Sequence, residues 1–195
     1  MTENKTASGL AVVISGPSGI GKSTVCRALA ERYGYSVSVS ATTRAPRADE
    51  TDGVEYRFMD RKSFLEEVER GRFLEHSEHF DNLYGTPAAP VKEALAAGKT
   101  ILLEIDVNGA RQVKESVPQA FLIFLIAPTS EEMERRLRER HTDSEASIRT
   151  RLQRADMEIG MQIHDVCVIN DDLEQAIREV HAKIQEAEGR KSHEC

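Results

Sequence analysis

The chain has 195 residues, of which 39% are hydrophobic and 30% charged, the size and composition of one globular domain with a substantial core. Its net charge of −7 argues against a general nucleic-acid-binding protein, because such proteins carry a basic surface. The longest apolar run, Phe121 to Ala127, is too short to span a bilayer, and the polar residues Met1 to Ser8 do not resemble a secretory signal. We therefore expect a cytoplasmic protein that binds neither membranes nor nucleic acid.

The first informative motif follows an apolar run, Leu10 to Ile14, that suits a buried strand. The residues after it match the phosphate-binding loop G-x-x-x-x-G-K-[ST]: Gly16, Pro17, Ser18, Gly19, Ile20, Gly21, Lys22 and Ser23. In such a loop the glycines permit positive φ angles, so that backbone N–H groups can surround a polyphosphate. A helix predicted over Lys22 to Tyr33, and closed by Gly34, would direct its positive end at the same phosphates.

Two side chains of this loop have chemical roles of their own. Lys22 is expected to bring a positive charge to the β- and γ-phosphates, and the Ser23 hydroxyl is expected to bind Mg²⁺. The alternative is a glycine-rich turn that fits the pattern by accident, but the flanking strand and helix argue against it. The motif predicts a site for a nucleoside triphosphate.

Apolar runs and helical patterns alternate along the rest of the chain. Further strands are predicted at residues 37–41, 100–105, 120–127 and 165–169. The last helix is predicted at about residues 171–188, with Asn170 or Asp171 as its N-cap. This alternation is typical of an α/β fold with a parallel sheet flanked by helices.

Two charged segments interrupt the alternation, and both follow the carboxyl ends of predicted strands, where open α/β sheets bind ligands. Residues from about 42 to 90 contain one amphipathic helix, at about Lys62 to Arg70, and are interpreted as a substrate lobe. Residues from about 131 to 157 are largely helical, with an interruption near 141–144, and are interpreted as a mobile lid. The core of a single domain would then comprise about residues 9–41, 91–130 and 158–188.

The stretch from Ser38 to Tyr56 gathers groups that bind phosphate: the hydroxyls of Ser40 and Tyr56 and the guanidinium groups of Arg44 and Arg47. Arginine is preferred where an oxyanion must be held with defined geometry as well as charge. Arginines in a surface loop are often only solvated, so this pattern alone leaves both interpretations open.

The segment Ser38 to Arg47, followed by Asp49 to Tyr56, resembles the acceptor-phosphate motif of the guanylate kinase family. Further motifs of that family occur in the same order: Phe73 to Glu75, Leu83 to Thr86, Leu102 to Gly109, Arg136 to Arg140, Arg151 with Leu152, and Ile169 to Asp172. Several motifs in the right order and spacing are far more specific than the phosphate-binding loop alone. The resemblance implies a P-loop NTPase-type sheet with a GMP-binding lobe and a helical lid.

The resemblance also implies a reaction: transfer of the γ-phosphoryl group of MgATP to GMP, giving ADP and GDP, in purine nucleotide salvage and GMP recycling. ATP would bind the loop from Gly16 to Ser23, together with Asn170 and Asp171. GMP would bind Ser40, Arg44, Arg47, Tyr56, Glu75, Tyr84, Thr86 and Asp106. The catalytic residues would be Lys22, Arg47, Arg140 and Arg151. Mg²⁺ would be held by Ser23 and Glu104; the sequence leaves the oligomeric state undecided.

The proposed base site has a chemical argument of its own. Guanine presents an N1–H and a 2-amino group side by side, and the carboxylate of Glu75 is a matching pair of acceptors. The hydroxyl of Thr86 suits the O6 acceptor. Sites built on such a polar match reject the wrong partner by about 10⁴–10⁵-fold. The alternatives are that Glu75 is a solvated charge and that Thr86 caps a helix opening at Pro87.

Two other functions are considered. The first is a catalytically inactive guanylate-kinase-like module that binds phosphorylated proteins, but such modules have lost donor-site residues, and this chain retains Lys22. The second is a kinase of another small phosphate compound, which would lack the pairing of Glu75 with Thr86. Of the six histidines, His76 and His79 lie near the proposed base site and are interpreted as surface or pocket-wall residues, without metal-ligand spacing.

Overall fold

A computed structural model describes residues 9–48, 50–79, 81–139, 145–161 and 163–193. Within these ranges the chain forms a five-stranded central sheet and a four-stranded small sheet. The strands are β1 (Ala11–Ser15), β2 (Ser36–Val37), β3 (Ala41–Thr42), β4 (Arg57–Phe58), β5 (Phe73–His79), β6 (Asn82–Pro87), β7 (Ile101–Glu104), β8 (Phe121–Ile126) and β9 (Val166–Ile169). The helices are α1 (Lys22–Tyr33), α2 (Arg61–Glu69), α3 (Ala88–Ala96), α4 (Val107–Ser116), α5 (Ser130–Glu139), α6 (Glu145–Gly160) and α7 (Leu173–His193).

The central sheet is parallel throughout, with the strand order β2-β7-β1-β8-β9. Because side chains alternate along a strand, its two faces are buried against different helices. One face packs on α1 and α7 through residues that include Val12, Ile14, Leu29, Ile177 and Val180. The opposite face packs on α3 and α4 through residues that include Val13, Leu103, Val91 and Val113. The predicted parallel sheet flanked by helices is therefore confirmed.

The phosphate-binding loop connects the middle of this sheet to α1. Strand β1 lies between β7 and β8, and α1 begins at Lys22 and ends before Gly34, as the sequence predicts. Gly34 has φ 74° and its N–H donates to the carbonyl of Ala30, which closes the helix in a left-handed C-cap. This placement sets the loop at the carboxyl edge of the central strands.

The small sheet, with the order β4-β3-β6-β5, corrects one predicted element. Residues 37–41 do not form one strand: Ser36–Val37 pairs with β7 in the central sheet, whereas Ala41–Thr42 pairs with β4 and β6 in the small sheet. The N–H of Ser38 still donates to the carbonyl of Leu102, and the chain then leaves the central sheet. The sequence hides this crossing, because serine and valine alternate from residue 36 to residue 40 with no break to mark where the first strand ends.

Helices α5 and α6 pack on each other through a separate apolar cluster of Met133, Leu137, Ile148 and Ala155. Helix α6 continues to Gly160, three residues beyond the predicted end of the lid at 157. The interruption predicted near residues 141–144 lies outside the described residues. The two helices thus form a small unit with its own core, at the carboxyl edge of the sheet.

The last helix differs from the prediction at both ends. Its N-cap is Asp172, not Asn170 or Asp171, because the Asp172 carboxylate accepts the N–H of Gln175 at 2.7 Å. The helix also continues through Gly189 to His193, since one glycine costs a helix only about 1 kcal/mol. Among the described residues, none of the helices combines the length and apolar character needed to cross a membrane.

Candidate functional site

A cavity of about 390 Å³ opens between the phosphate-binding loop, the small sheet and α6. It brings together most of the residues that the sequence singles out. Those lining it are Gly16, Ser18, Gly19, Gly21, Lys22, Ser23, Ser40, Arg47, Tyr56, Glu75, Tyr84, Glu104, Asp106 and Arg151. The cavity is therefore continuous from the loop to the proposed base site.

Several predicted site residues do not line this cavity. Pro17 and Ile20 are buried within the loop, and Thr86 is fully buried behind Glu75. Arg44 is paired with an acidic neighbour. Asn170 and Asp171 lie after β9, beside the loop. Arg140 lies outside the described residues.

The loop has the conformation that the glycine pattern predicts. Gly16, Gly19 and Gly21 all have positive φ, at 141°, 91° and 94°. At Gly16 a Cβ atom would also lie only 2.3 Å from the carbonyl oxygen of Leu125, so both the backbone angle and the neighbouring strand require glycine there. The loop is thereby pressed against β8.

Lys22 folds back onto its own loop. Its Nζ donates to the carbonyl of Gly16 at 2.7 Å and to that of Pro17 at 3.1 Å. Burial lowers the pKa of Lys22, and the negative charges of Glu104 and Glu158 oppose that shift. Lys22 is thus a half-buried cation in the phosphate-binding loop, with acidic residues nearby.

Ser23 and Glu104 meet at the first turn of α1. The Ser23 hydroxyl donates to the Oε1 of Glu104, the last residue of β7, at 2.5 Å. A hydroxyl and a carboxylate are the oxygen ligands that suit Mg²⁺, which in phosphate sites takes one or two protein ligands and completes its shell with water and phosphate oxygens. No group of three or more His, Cys, Asp or Glu side chains with metal-binding geometry occurs among the described residues. The pair fits a magnesium ion shared with phosphate, not a closed protein site.

The arginine-rich loop holds its two arginines differently. Arg44 donates to Glu50 at 2.7 Å and lies over the ring of Tyr56, 5.5 Å from the centroid. Glu50 also accepts the backbone N–H of Arg47 at 2.8 Å, and its hydrogen bond from Arg44 lowers its pKa. The side chain of Arg47 is 72% exposed and reaches the cavity. Glu50 was missed in the sequence, because it is one of several acidic residues in that loop.

Glu75 and Thr86 face each other across the paired strands β5 and β6. The Thr86 hydroxyl donates to the Oε1 of Glu75 at 2.7 Å, and Glu75 is only 4% exposed. Burial raises the pKa of Glu75 to about 7, despite the hydrogen bond from Thr86. Both alternatives for this pair are wrong. Glu75 is not a solvated charge, and Thr86 does not cap α3, because the N-cap residue of that helix is Pro87.

Asp106 is the N-cap of α4 and also the centre of a polar cluster. Its Oδ1 accepts the N–H of Gly109 at 2.9 Å, and its Oδ2 accepts the hydroxyl of Ser77 at 3.0 Å and a hydrogen bond from the Nε2 of His79. Burial would raise the pKa of Asp106, but these hydrogen bonds outweigh it and lower the pKa to about 2. Asp106 is therefore ionised and acts only as an acceptor.

Ser77 and His79 line the cavity but were not predicted as site residues, although His79 was expected at the pocket wall. A signal was present in the sequence, because residues 75, 77 and 79 alternate along one strand and point to the same face. Glu158 of α6 also lines the cavity and was missed, since nothing in its local sequence distinguishes it from other charged residues on the same helix.

The described arginines of α5 and Arg151 of α6 have different partners. On α5, Arg135 and Arg138 are bound to glutamates, among them Glu132, Glu134 and Glu139. Arg136 also binds Glu132, and it donates to the backbone carbonyls of Asn170 at 2.6 Å and Asp171 at 3.4 Å. Such ion pairs are common on solvent-exposed helix surfaces. The number of arginines on α5 is therefore not by itself evidence that this helix binds phosphate.

Arg151 of α6 is the lid arginine that the structure places at the cavity, within the described part of the chain. Its Nη1 contacts the hydroxyl of Ser18, in the phosphate-binding loop, at 2.5 Å. Asn170 holds the same loop from the other side, because its Nδ2 donates to the carbonyl of Ile20 at 2.7 Å. The loop is therefore contacted both from the lid and from the end of β9.

Comparisons with known proteins agree with this geometry. A model of the guanylate kinase family matches residues 8–187. The guanylate kinase of Synechococcus elongatus is 46% identical over 178 residues, which cover 90% of this chain and 97% of that protein. The guanylate kinase of Lactobacillus delbrueckii subsp. bulgaricus is 46% identical over 89% of this chain and 87% of that protein.

A solved structure points the same way. The crystal structure of guanylate kinase from Anaplasma phagocytophilum matches with a TM-score of 0.79 and 32% identity, over 94% of this chain and 88% of that chain. The chain therefore belongs to the guanylate kinase family of nucleoside monophosphate kinases and has the P-loop NTPase fold.

Proposed function

We propose that the protein transfers the γ-phosphoryl group of ATP to the 5′-phosphate of GMP, giving ADP and GDP, in purine nucleotide salvage and GMP recycling. The observation that carries this proposal is the single cavity with the phosphate-binding loop at one end and the buried carboxylates Glu75 and Asp106 at the other. Two anionic substrates can bind side by side in such a cavity, so that the phosphoryl group passes directly from one to the other.

At the donor end, the loop amides, Lys22 and Ser23 hold the triphosphate of ATP. Asn170 and Asp171 lie beside the adenine. The side-chain amide of Asn170 already donates to the backbone carbonyl of Ile20, and the backbone carbonyls of Asn170 and Asp171 already accept from Arg136. The groups that remain for adenine are therefore the backbone of this segment, held in place, and the exposed side chain of Asp171. Ser23 and Glu104 are the residues that would hold Mg²⁺. When bound, the ion neutralises charge on the phosphate oxygens.

At the acceptor end, Ser40, Arg44, Arg47 and Tyr56 bind the phosphate of GMP. Arg44 is held in place by Glu50 and by the ring of Tyr56, which fixes its guanidinium group before the ligand arrives. Burial raises the pKa of Tyr56 to about 12, so its hydroxyl remains a donor at neutral pH. A fixed set of donors costs little reorganisation on binding.

Glu75, Thr86, Tyr84 and Asp106 form the base end of the acceptor site. The carboxylate of Glu75 accepts from guanine N1–H and the 2-amino group, and the buried position of this carboxylate makes an unmatched base costly. Asp106 faces the acceptor nucleotide from the N-terminus of α4.

The chemical step requires little covalent work from the protein. An oxygen of the GMP phosphate is already anionic and attacks the γ-phosphorus, while the bond to the β-bridging oxygen breaks and ADP leaves. No general base is needed. Lys22, Arg47, Arg140 and Arg151 stabilise the charge that develops on the transferring group, and closure of the lid excludes water and limits ATP hydrolysis.

The test of this function is an ADP-release assay with a panel of nucleoside monophosphates. We expect GMP to be phosphorylated far more efficiently than AMP, CMP or UMP. No ADP release with any of the nucleotides would favour the alternative of an inactive phosphoprotein-binding module, and preference for another acceptor would replace GMP as the substrate.

Replacing Glu75 with glutamine tests how the base is selected. The change keeps the shape of the side chain but substitutes a donor for one acceptor, which would then face a donor of guanine. We expect the kcat/KM for GMP to fall by about 10²-fold or more, as expected for an unmatched buried polar group. The already low activity with AMP should fall much less.

A matched control is Glu78→Gln on the same strand, because Glu78 is exposed and binds Arg61 on the outer face. This control should retain the activity with GMP. If Glu75→Gln lowers the activities with GMP and AMP equally, Glu75 does not distinguish the bases.

The raised pKa of Glu75 predicts a pH dependence of GMP binding. Guanine donors require the ionised carboxylate, so the dissociation constant of GMP should decrease as the pH rises through about 7. Between about pH 6 and pH 8 we expect a change of about tenfold, measured by titration calorimetry. In Glu75→Gln this dependence should disappear, leaving only the titration of the GMP phosphate near pH 6.

The same shift has a consequence for stability. Because the folded-state pKa of Glu75 lies above its ordinary value of 4.5, the folded protein binds this proton more tightly than the unfolded chain. The free energy of unfolding of the free protein should therefore decrease as the pH rises from about 4.5 to about 7, and this part of the decrease should be absent from Glu75→Gln. An unchanged pH profile in the variant would contradict the raised pKa.

A further inference from the structure

The cluster around Asp106 contains two side chains that the proposed reaction does not use. Ser77 and His79 stand on the cavity face of β5, two and four residues after Glu75. Both contact the same oxygen of Asp106, although β5 and the start of α4 are separated in the sequence by 27 to 29 residues. The two side chains therefore link the small sheet to the N-terminus of α4.

These contacts leave the Asp106 carboxylate with one position at which it can accept a further hydrogen bond. Each carboxylate oxygen has two lone pairs. Ser77 and His79 occupy both lone pairs of Oδ2, and the N–H of Gly109 occupies one lone pair of Oδ1. The remaining acceptor position is on Oδ1, beside Gly109.

Glu75 approaches the same place from β5. A Cβ atom built on Gly109 would lie 2.5 Å from the Oε2 of Glu75, so this oxygen lies against the first turn of α4. The Oε2 of Glu75 and the Oδ1 of Asp106 thus both lie at Gly109: the first is close to the Cβ position of this residue, and the second accepts its N–H. Two acceptors so close together suit a ligand group with more than one N–H.

We propose that His79, assisted by Ser77, is a positioning residue for base recognition: by binding the Oδ2 of Asp106 it directs the Oδ1 toward the exocyclic amino group of a 2-aminopurine nucleotide. The inference rests on the proposed GMP kinase function and adds to it the residues that orient the second carboxylate. In this arrangement the Nε2 of His79 is the donor, because the Asp106 carboxylate also accepts from the Ser77 hydroxyl and the Gly109 N–H. The ring of Tyr84, 6.2 Å away, stands beside that of His79 at the cavity wall.

The experiment compares GMP with IMP, which keeps N1–H and O6 but lacks the 2-amino group. In His79→Leu, which removes the donor and retains similar bulk, we expect the KM for GMP to rise by about tenfold, the effect of one charge-assisted hydrogen bond. The kcat for GMP and the kcat/KM for IMP should change by less than about threefold. His79→Gln, whose Nε2 can replace the imidazole donor, should restore most of the affinity for GMP.

Equal losses with GMP and IMP, no loss in His79→Leu, or a glutamine variant as weak as the leucine variant would each overturn the proposal. If His79→Leu does not fold, Ser77→Ala removes the other donor to the same oxygen and should raise the KM for GMP, but not for IMP, by about threefold. If the ratio of the KM for GMP to the KM for IMP is unchanged in Ser77→Ala, the proposal is overturned. The proposed function is decided separately, by whether the unmodified protein phosphorylates GMP at all.

Discussion

Replacing Lys22 with alanine is expected to lower the kcat for ADP formation by about 10³-fold, the scale of losing a preorganised group that stabilises transition-state charge. Lys22 is the one cationic side chain of the phosphate-binding loop, and its Nζ lies 2.7 Å from the carbonyl of Gly16. We expect the ammonium group to leave these carbonyls and bind phosphate oxygens when a triphosphate enters the loop. Alanine leaves the loop amides but removes the charge, so binding of ATP should weaken less than turnover.

The measurement is steady-state ADP release together with thermal unfolding. The fold should persist, because Lys22 is only half-buried, faces the open cavity and is not part of the hydrophobic core. Lys92→Ala is the control, since Lys92 is an exposed lysine on α3, far along the chain from the loop. Near-normal turnover in Lys22→Ala, at an unchanged melting temperature, would contradict the assignment of the donor site.

The features that the sequence predicted well are those encoded by neighbouring residues. The phosphate-binding loop and α1 have their signals within Leu10 to Gly34, and both appear where they were predicted. Buried parallel strands could also be predicted, because an apolar run flanked by turns is a local pattern. The pairing of Glu75 with Thr86 came from the family resemblance, since the two residues are eleven positions apart and meet only when β5 and β6 pair.

The features that escaped prediction depend on distant contacts. The crossing of residues 37–41 from one sheet to the other depends on which strands are nearby, not on the extended segment itself. The same holds for the contact of His79 with Asp106. Arg44 and Glu50 are close in sequence, but four acidic residues occur at positions 49–55, and only the folded loop determines which of them binds Arg44.

The lid shows how composition alone can mislead. Arginines crowd α5, yet their guanidinium groups are largely occupied by glutamates of the same helix, at the i+3 and i+4 spacings of a solvated surface. Arg136 has a second function, because it fixes the carbonyls of the segment after β9. The catalytic proposal for the lid therefore depends on α6, where Arg151 reaches the loop.

Replacing Arg151 with alanine should lower the rate of the chemical step by about 10²-fold or more, on the scale of a lost arginine finger. Its guanidinium contacts the Ser18 hydroxyl across the cavity, so it is placed to reach the transferring group once both nucleotides are bound. Because that charge acts mainly when the phosphoryl group moves, the dissociation constant of GMP should change by less than about threefold. Single-turnover kinetics gives the first quantity, and equilibrium titration gives the second.

Arg149→Ala provides the control for Arg151→Ala, since Arg149 is exposed two residues earlier on the same helix and does not line the cavity. Both variants remove one positive charge from α6, so a general loss of attraction for anionic substrates would affect them alike. A specific loss in Arg151→Ala would assign the effect to position and not to net charge. If Arg151→Ala retains a normal single-turnover rate, α6 supplies only surface charge, and the stabilisation of the transition state falls to Lys22, Arg47 and the metal ion.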